Sequence, residues 1–117
     1  SGMQALCNLV GPARAKDIMF SARYMDAAEA HQMGLINFLV DNDELESRVR
    51  EYAALIAGNA PLTVKAAKVA INEAMKDPEK RDIDRITTMV NGCYDSEDYK
   101  EGRSAFMEKR KAQFRGR

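Results

Sequence analysis

Apolar residues recur at the spacing of an α-helix along most of this chain, and the pattern is clearest in its middle. One stripe there is formed by Leu45, Val49, Tyr52, Ala53 and Ile56, at i, i+4, i+7, i+8 and i+11. The run Asp-Asn-Asp at 41–43 precedes it and offers N-cap side chains and negative charge for the helix dipole. Gly58 follows the stripe. These signals together predict a helix.

Similar stripes predict further helices on both sides of this one. Asp26 is a candidate N-cap with Glu29 as its capping-box partner, and Gly34 is a candidate C′ residue. Ser96 is a candidate N-cap of the last helix, which we expect to carry its basic residues towards its end. The remaining predicted boundaries are Gly11–Pro12, Pro61 and Asp77–Pro78.

The stretch Leu-Ile-Asn-Phe-Leu-Val at 35–40 interrupts this helical pattern. It is rich in β-branched and aromatic residues and lies between a glycine and a turn-like run, which predicts a short buried strand. A single strand cannot pair its own backbone groups, so it needs a sheet edge from elsewhere. The apolar stripes of several helices likewise have no evident cover. The residues alone therefore suggest a piece of a larger protein or an obligate oligomer.

The charges are unevenly distributed, although their sum is zero. The chain of 117 residues has 18 basic and 18 acidic side chains, and from Arg103 onward six Lys/Arg residues are opposed only by Glu108. A neutral total argues against a dedicated nucleic-acid-binding protein. No apolar run approaches the ~20 residues of a membrane span, and the sequence has no signal-peptide pattern. We therefore expect a cytoplasmic protein that binds neither nucleic acid nor membrane.

Candidate chemistry is scarce in this sequence. It contains no Gly-rich phosphate loop, no cluster of metal ligands and no Gly-x-Ser-x-Gly nucleophile elbow. His31 is the single histidine and has no Cys or Ser near it in sequence, while Cys7 and Cys93 match no metal-ligand spacing. We therefore assign no catalytic residue and no metal site.

Three stretches carry a recognisable set of motifs in order. Residues 9–40 read LVGPARAKDIMFSARYMDAAEAHQMGLINFLV, with V-G-x-x-x-A, then A-x-E-A, then G-L-I. Residues 59–72 read NAPLTVKAAKVAIN, and residues 95–117 read DSEDYKEGRSAFMEKRKAQFRGR, with E-G-x-x-A-F-x-E-K-R. Together these motifs resemble the crotonase superfamily of enoyl-CoA hydratases and isomerases, and the resemblance covers nearly the whole chain with that family's spacings.

The resemblance implies a mainly α fold. The chain is expected to form the C-terminal helical region of the crotonase-type β/α spiral, with one short strand at about 35–40. Residues 1–117 would then be a single region, in which 1–40 end the spiral core and 41–117 form a helical trimerisation region. The opening residues SGMQAL resemble the end of the family's Gly-rich stretch, so the family's catalytic groups are expected upstream of this chain.

The resemblance also implies a function. The chain would be the C-terminal part of an acyl-CoA enzyme, a lyase or isomerase of fatty acid or carboxylic acid metabolism, and inactive alone. It would form a trimer or hexamer, require no cofactor and contribute to binding a CoA thioester substrate. Phe106 and Lys109, at i and i+3 on one helix face, correspond to the positions that contact the adenine and phosphate side of CoA, including that of a neighbouring subunit.

Two other interpretations of the chain stay open. It could be a stand-alone helical oligomerisation module with no chemistry of its own. It could also be a nucleic-acid-binding domain that uses its basic tail, although the aromatic residues available for stacking on bases are few.

Overall fold

A computed structural model describes residues 2–117, and every regular element in that range is helical. The α-helices, in chain order, are α1 Gly2–Val10, α2 Pro12–Ser21, α3 Ala27–Gln32, α4 Leu45–Ala57, α5 Pro61–Ala74, α6 Ile83–Tyr94 and α7 Glu97–Met107. A short 3-10 helix, Pro78–Lys80, connects α5 to α6. The mainly α class expected from the sequence is confirmed.

The strand expected at 35–40 is not formed. The chain bends at 35–37 and then runs without regular structure to Asp41. A strand needs a partner for its backbone groups, and no other segment within residues 2–117 is a strand. The expected burial is also wrong, since Phe38 is 63% exposed. Strand pairing and burial both depend on other segments, so the composition of one segment does not determine them.

Residues 2–46 belong to the first of two compact units. In this unit α1 packs against α2, and the two helices are separated by Gly11, which has a φ of +82°. The Asp26 side chain caps α3 by accepting a hydrogen bond from the Glu29 N–H at 2.8 Å, as predicted. Arg23 bridges the connection between α2 and α3 by pairing with both Asp17 and Glu29.

The C-terminal end of α3 is closed by the predicted glycine. Gly34 has a φ of +81°, and its N–H donates to the His31 carbonyl at 3.0 Å. The next N–H, of Leu35, donates back to the Ala30 carbonyl at 2.9 Å. This is a Schellman motif, and the left-handed conformation of its C′ position favours glycine.

The second unit contains residues 47–117. Here α5 packs along α6, and α6 meets α7. The corner between α5 and α6 is fixed by Glu73, which is only 3% exposed. Its carboxylate accepts hydrogen bonds from the Lys76 ammonium at 2.7 Å and from the Asp82 N–H at 3.0 Å. Both bonds lower the pKa of Glu73, and the bond from the Asp82 N–H has the larger effect.

Large apolar side chains remain exposed in both units. The buried apolar residues among those described are Val10, Ala15, Ala30, Ala66 and Ala105, so only one of them is larger than alanine. On α4 the exposed apolar side chains include Val49, Leu55 and Ile56. Exposed apolar surface of this kind is characteristic of regions that contact another protein surface.

The boundary between the two units lies within α4, after Glu46. The expected division of a single region at 40/41 stays a prediction. Within residues 2–117, no single helix is both long and apolar enough to span a membrane, and only α4 and α5, bent by 103°, meet the length and composition criteria as a pair.

Candidate functional site

The last helix begins where the sequence predicts. The Ser96 hydroxyl accepts a hydrogen bond from the Tyr99 N–H at 3.0 Å and donates one to the Cys93 carbonyl at 2.6 Å. Glu97 and Asp98 occupy the first turn of α7, where carboxylates interact favourably with the helix dipole. This cap joins α6 to the start of the candidate site.

The last helix ends earlier than the sequence suggests, at Met107. Lys109 has a left-handed backbone with a φ of +54°. Its N–H donates to the Phe106 carbonyl at 3.3 Å, and the Arg110 N–H donates to the Ala105 carbonyl at 3.0 Å. These bonds close α7 with a Schellman motif in which lysine occupies the usual glycine position. The expectation that Phe106 and Lys109 share one helix face is therefore wrong, since Lys109 lies beyond the helix.

Residues 108–117, here called the C-terminal strap, turn back along α7. The Asp98 carboxylate accepts hydrogen bonds from the N–H groups of Arg115 at 2.6 Å and Gly116 at 2.7 Å. The Asp98 N–H in turn donates to the Arg117 carbonyl at 3.1 Å. Asp98 is only 3% exposed, so these bonds are shielded from water and tie the end of the chain to the first turn of α7.

A second carboxylate holds the middle of the C-terminal strap. Glu101 accepts two hydrogen bonds from the Arg110 guanidinium, at 2.6 and 2.9 Å, and a third from the Gln113 N–H at 2.8 Å. Bonds of this kind favour the charged carboxylate. The hydrogen bonds from Arg110 have the largest effect, followed by the one from Gln113, and they lower the pKa of Glu101 from 4.5 to about 2. Arg110 of the basic tail therefore has its anionic partners, Glu101 and Glu108, within this chain.

An aromatic ring fixes the C-terminal strap against the helix surface. The Phe114 Cε1 atom lies 3.4 Å from the position that a Cβ would occupy on Gly102. Phe114 and Gly102 form part of an open groove of about 330 Å³, whose other lining residues include Cys93, Tyr99, Arg103 and Phe106. The Arg103 guanidinium carbon lies 6.0 Å from the centre of the Tyr99 ring, within range of a cation–π interaction.

The two predicted site residues lie at the end of α7. The Phe106 ring lines the groove and is 82% exposed. Lys109 is exposed in the turn that follows, and no ion pair to its ammonium group is recorded among residues 2–117. Asp98 and Glu101, which organise this region, were not singled out from the sequence. No local pattern marks these two carboxylates, because their hydrogen-bond partners lie 9 to 18 positions further along the chain.

The structure brings no further chemistry to this region. His31 is exposed on α3, in the other unit. No group of three or more His, Cys, Asp or Glu side chains among the described residues is arranged to hold a metal ion. The arrangement offers an exposed aromatic face, a cation and an apolar groove, which are suited to binding.

Comparison with known proteins gives this arrangement its context. The sequence model of the enoyl-CoA hydratase/isomerase family matches residues 1–117. The chain therefore belongs to the enoyl-CoA hydratase/isomerase family, as the resemblance in its motifs implied.

Individual relatives agree with this assignment. A crotonyl-CoA hydratase of Syntrophomonas wolfei is 39% identical over 117 residues, which cover 97% of this chain and 44% of that protein. A short-chain-enoyl-CoA hydratase of Clostridium acetobutylicum is 38% identical over 110 residues, or 94% and 42% of the two chains. A crystal structure of an enoyl-CoA hydratase from Geobacillus kaustophilus superposes with a TM-score of 0.85 at 34% identity, covering 99% of this chain and 45% of that one. The chain thus spans less than half the length of these relatives.

Proposed function

We propose that this chain supplies the C-terminal helical region of an enoyl-CoA hydratase/isomerase-type enzyme, with roles in oligomer contact and in binding the CoA part of the substrate. The proposal assigns no catalytic residue to the chain and expects it to hydrate no substrate alone. Stabilising a thioester oxyanion requires donors aimed at the developing charge, and none has been assigned here. The parent activity would be in fatty acid or carboxylic acid CoA-thioester metabolism.

The observation that carries the CoA role is the exposure of Phe106 at the end of α7, with Lys109 exposed in the turn that follows. A phenylalanine that is 82% exposed offers a ring face on which an adenine base can stack. The Lys109 ammonium follows in the next turn and can approach a phosphate as a point charge. Because Glu101 and Glu108 already pair with Arg110, Lys109 is better placed than Arg110 to meet a ligand phosphate.

Support for the oligomer role comes from the exposed apolar side chains of α4. These side chains recur at helical spacing along α4. A specific protein–protein interface buries about 800 Å² on each partner and has an apolar centre.

The CoA role can be tested by isothermal titration calorimetry with CoA and with 3′-phosphoadenosine 5′-diphosphate. We expect Phe106→Ala and Lys109→Ala each to weaken binding about tenfold, equivalent to about 1.4 kcal/mol. Phe20→Ala is a matched control, because Phe20 is 81% exposed but lies on α2. Lys68→Ala on α5 is the control for loss of an exposed cation.

Three results would contradict the CoA role. The first is an absence of binding to either ligand at millimolar concentration. The second is equal weakening by the controls and by the two site variants. The third is binding that both site variants leave unchanged, which would move the ligand contact to another surface.

A further inference from the structure

The conformation of the C-terminal strap conflicts with its own local sequence. Residues 108–113 read Glu-Lys-Arg-Lys-Ala-Gln, and all six are among the strongest helix formers. No glycine or proline separates them from α7. The helix nevertheless ends at Met107, and Lys109 adopts a left-handed backbone, a conformation that disfavours residues with a Cβ. Local preference therefore predicts a longer helix than the one observed.

Contacts distant in sequence hold the observed conformation. Asp98 binds the N–H groups of Arg115 and Gly116, and the Phe114 ring lies on Gly102. Gly116 also reaches the N-terminal end of α5, where a Cβ at its position would lie 3.5 Å from the Pro61 Cβ. Each of these contacts needs the chain to reverse direction after α7, so a continued helix would break all of them.

The backbone donors have a partner in either conformation. In the docked strap, the Arg110 N–H donates to the Ala105 carbonyl and the Gln113 N–H to the Glu101 carboxylate. In a continued helix, the same groups would donate to the carbonyls of Phe106 and Lys109, four residues earlier. The two sets of hydrogen bonds exclude each other, yet neither leaves these donors unsatisfied.

We infer that the C-terminal strap is a two-state element, either docked on α7 or undocked with α7 continued through residue 113. Asp98 is the latch that selects the docked state. Its buried carboxylate hydrogen-bonds the docked strap, and these bonds break when the helix continues. Undocking uncovers the Gly102 surface and lengthens the last helix by more than a turn. This inference is independent of the proposed CoA role.

Nuclear magnetic resonance of the full chain tests the latch. We expect Asp98→Ala to speed hydrogen exchange at the amides of Arg115 and Gly116 by about tenfold or more, which corresponds to about 1.4 kcal/mol. The Cα chemical shifts of residues 108–113 should move at the same time to helical values. Lys109→Gly should have the opposite effect and slow exchange, because it removes the conformational penalty of the docked turn.

Glu97→Ala is the matched control for this experiment. Glu97 also carries a negative charge in the first turn of α7, but its carboxylate accepts its hydrogen bond from Lys100 and meets the strap only through the charge of Arg117, an exposed interaction that contributes little. It should leave both the exchange rates and the chemical shifts unchanged. If Asp98→Ala unfolds the chain, Phe114→Ala releases the strap from its other contact and is measured instead.

Two outcomes would overturn the inference. If exchange accelerates but residues 108–113 take random-coil shifts, the strap is only a tether and has no helical alternative. If exchange is unchanged in both Asp98→Ala and Phe114→Ala, neither contact holds the strap and the latch does not exist.

Discussion

The Glu101 carboxylate binds the Arg110 guanidinium through two hydrogen bonds, at 2.6 and 2.9 Å, although the two residues are nine positions apart in sequence. This pair links α7 to the C-terminal strap and neutralises one cation of the basic tail. The basic cluster of the tail is therefore partly neutralised by a carboxylate of α7, the helix along which the strap lies. Lys109, in contrast, keeps its charge available at the turn.

The depressed pKa of Glu101 gives a pH-dependent prediction. Since its folded pKa of about 2 lies below its ordinary value of 4.5, the carboxylate stabilises the docked strap fully above about pH 4.5. That contribution is lost as the pH falls through about 2. The amide proton of Gln113, which donates to Glu101, should therefore shift with a midpoint near pH 2 in a nuclear magnetic resonance titration.

The arginine side chains near Glu101 shift its pKa in the same direction. Arg110 and Arg115 both lower the pKa of Glu101, so salt should raise the midpoint slightly by screening them. Glu101→Gln should abolish the transition. A midpoint near pH 4.5 in the unsubstituted chain would show that Glu101 does not bind Arg110 and Gln113 in solution.

A second prediction concerns Gly102. A Cβ at this position would meet the Phe114 ring at 3.4 Å, an ordinary van der Waals distance. Gly102→Ala should therefore raise the free energy of unfolding by up to about 1 kcal/mol, because alanine favours the helix. Gly102→Leu should lower it, because the larger side chain displaces the ring. Urea-induced unfolding monitored by circular dichroism measures both changes.

Gly92 on α6 supplies the control for Gly102. It is also within a helix, but a Cβ there would have no atom within 4 Å. Gly92→Ala and Gly92→Leu should both be stabilising or neutral. If Gly102→Leu is as stable as Gly92→Leu, Phe114 does not pack on Gly102 and the strap is not held there.

The features that the sequence predicted correctly are local. The caps at Asp26 and Ser96 and the Schellman glycine at Gly34 each depend on residues within a few positions. Side-chain oxygens at N-caps and glycine at C′ act through short-range hydrogen bonds, so the pattern of residue types is sufficient to find them. The mainly helical class was predictable for the same reason.

The features that the sequence missed depend on distant partners. The end of α7 at Met107 is fixed by Asp98, which binds Arg115 and Gly116, and local helix preference favoured a longer helix. The segment 35–40 has the composition of a strand, but strand formation requires a second strand. The aromatic and basic positions of the candidate site were assigned through motif resemblance and stay a prediction, and their exposure could not be inferred from residue type.

The last prediction concerns self-association through α4. Its exposed apolar residues include Val49 and Leu55, at 58% and 64% exposure, and burying such side chains in an interface removes apolar area from water. We expect the chain to form a trimer or hexamer at high micromolar concentration. Val49→Asp combined with Leu55→Asp should shift it towards a monomer of 13.1 kDa, because a carboxylate buried in an apolar interface loses its hydration.

Sedimentation equilibrium measures this shift directly. Arg48→Asp is the control, because it places the same carboxylate on α4 at a residue whose recorded partner is only the exposed Glu51. Exposed ion pairs contribute about 0–1 kcal/mol, so the control should keep the assembly intact. A clean monomer in the unsubstituted chain would reject the association. An assembly that survives the double substitution would place the interface on another of the exposed apolar faces.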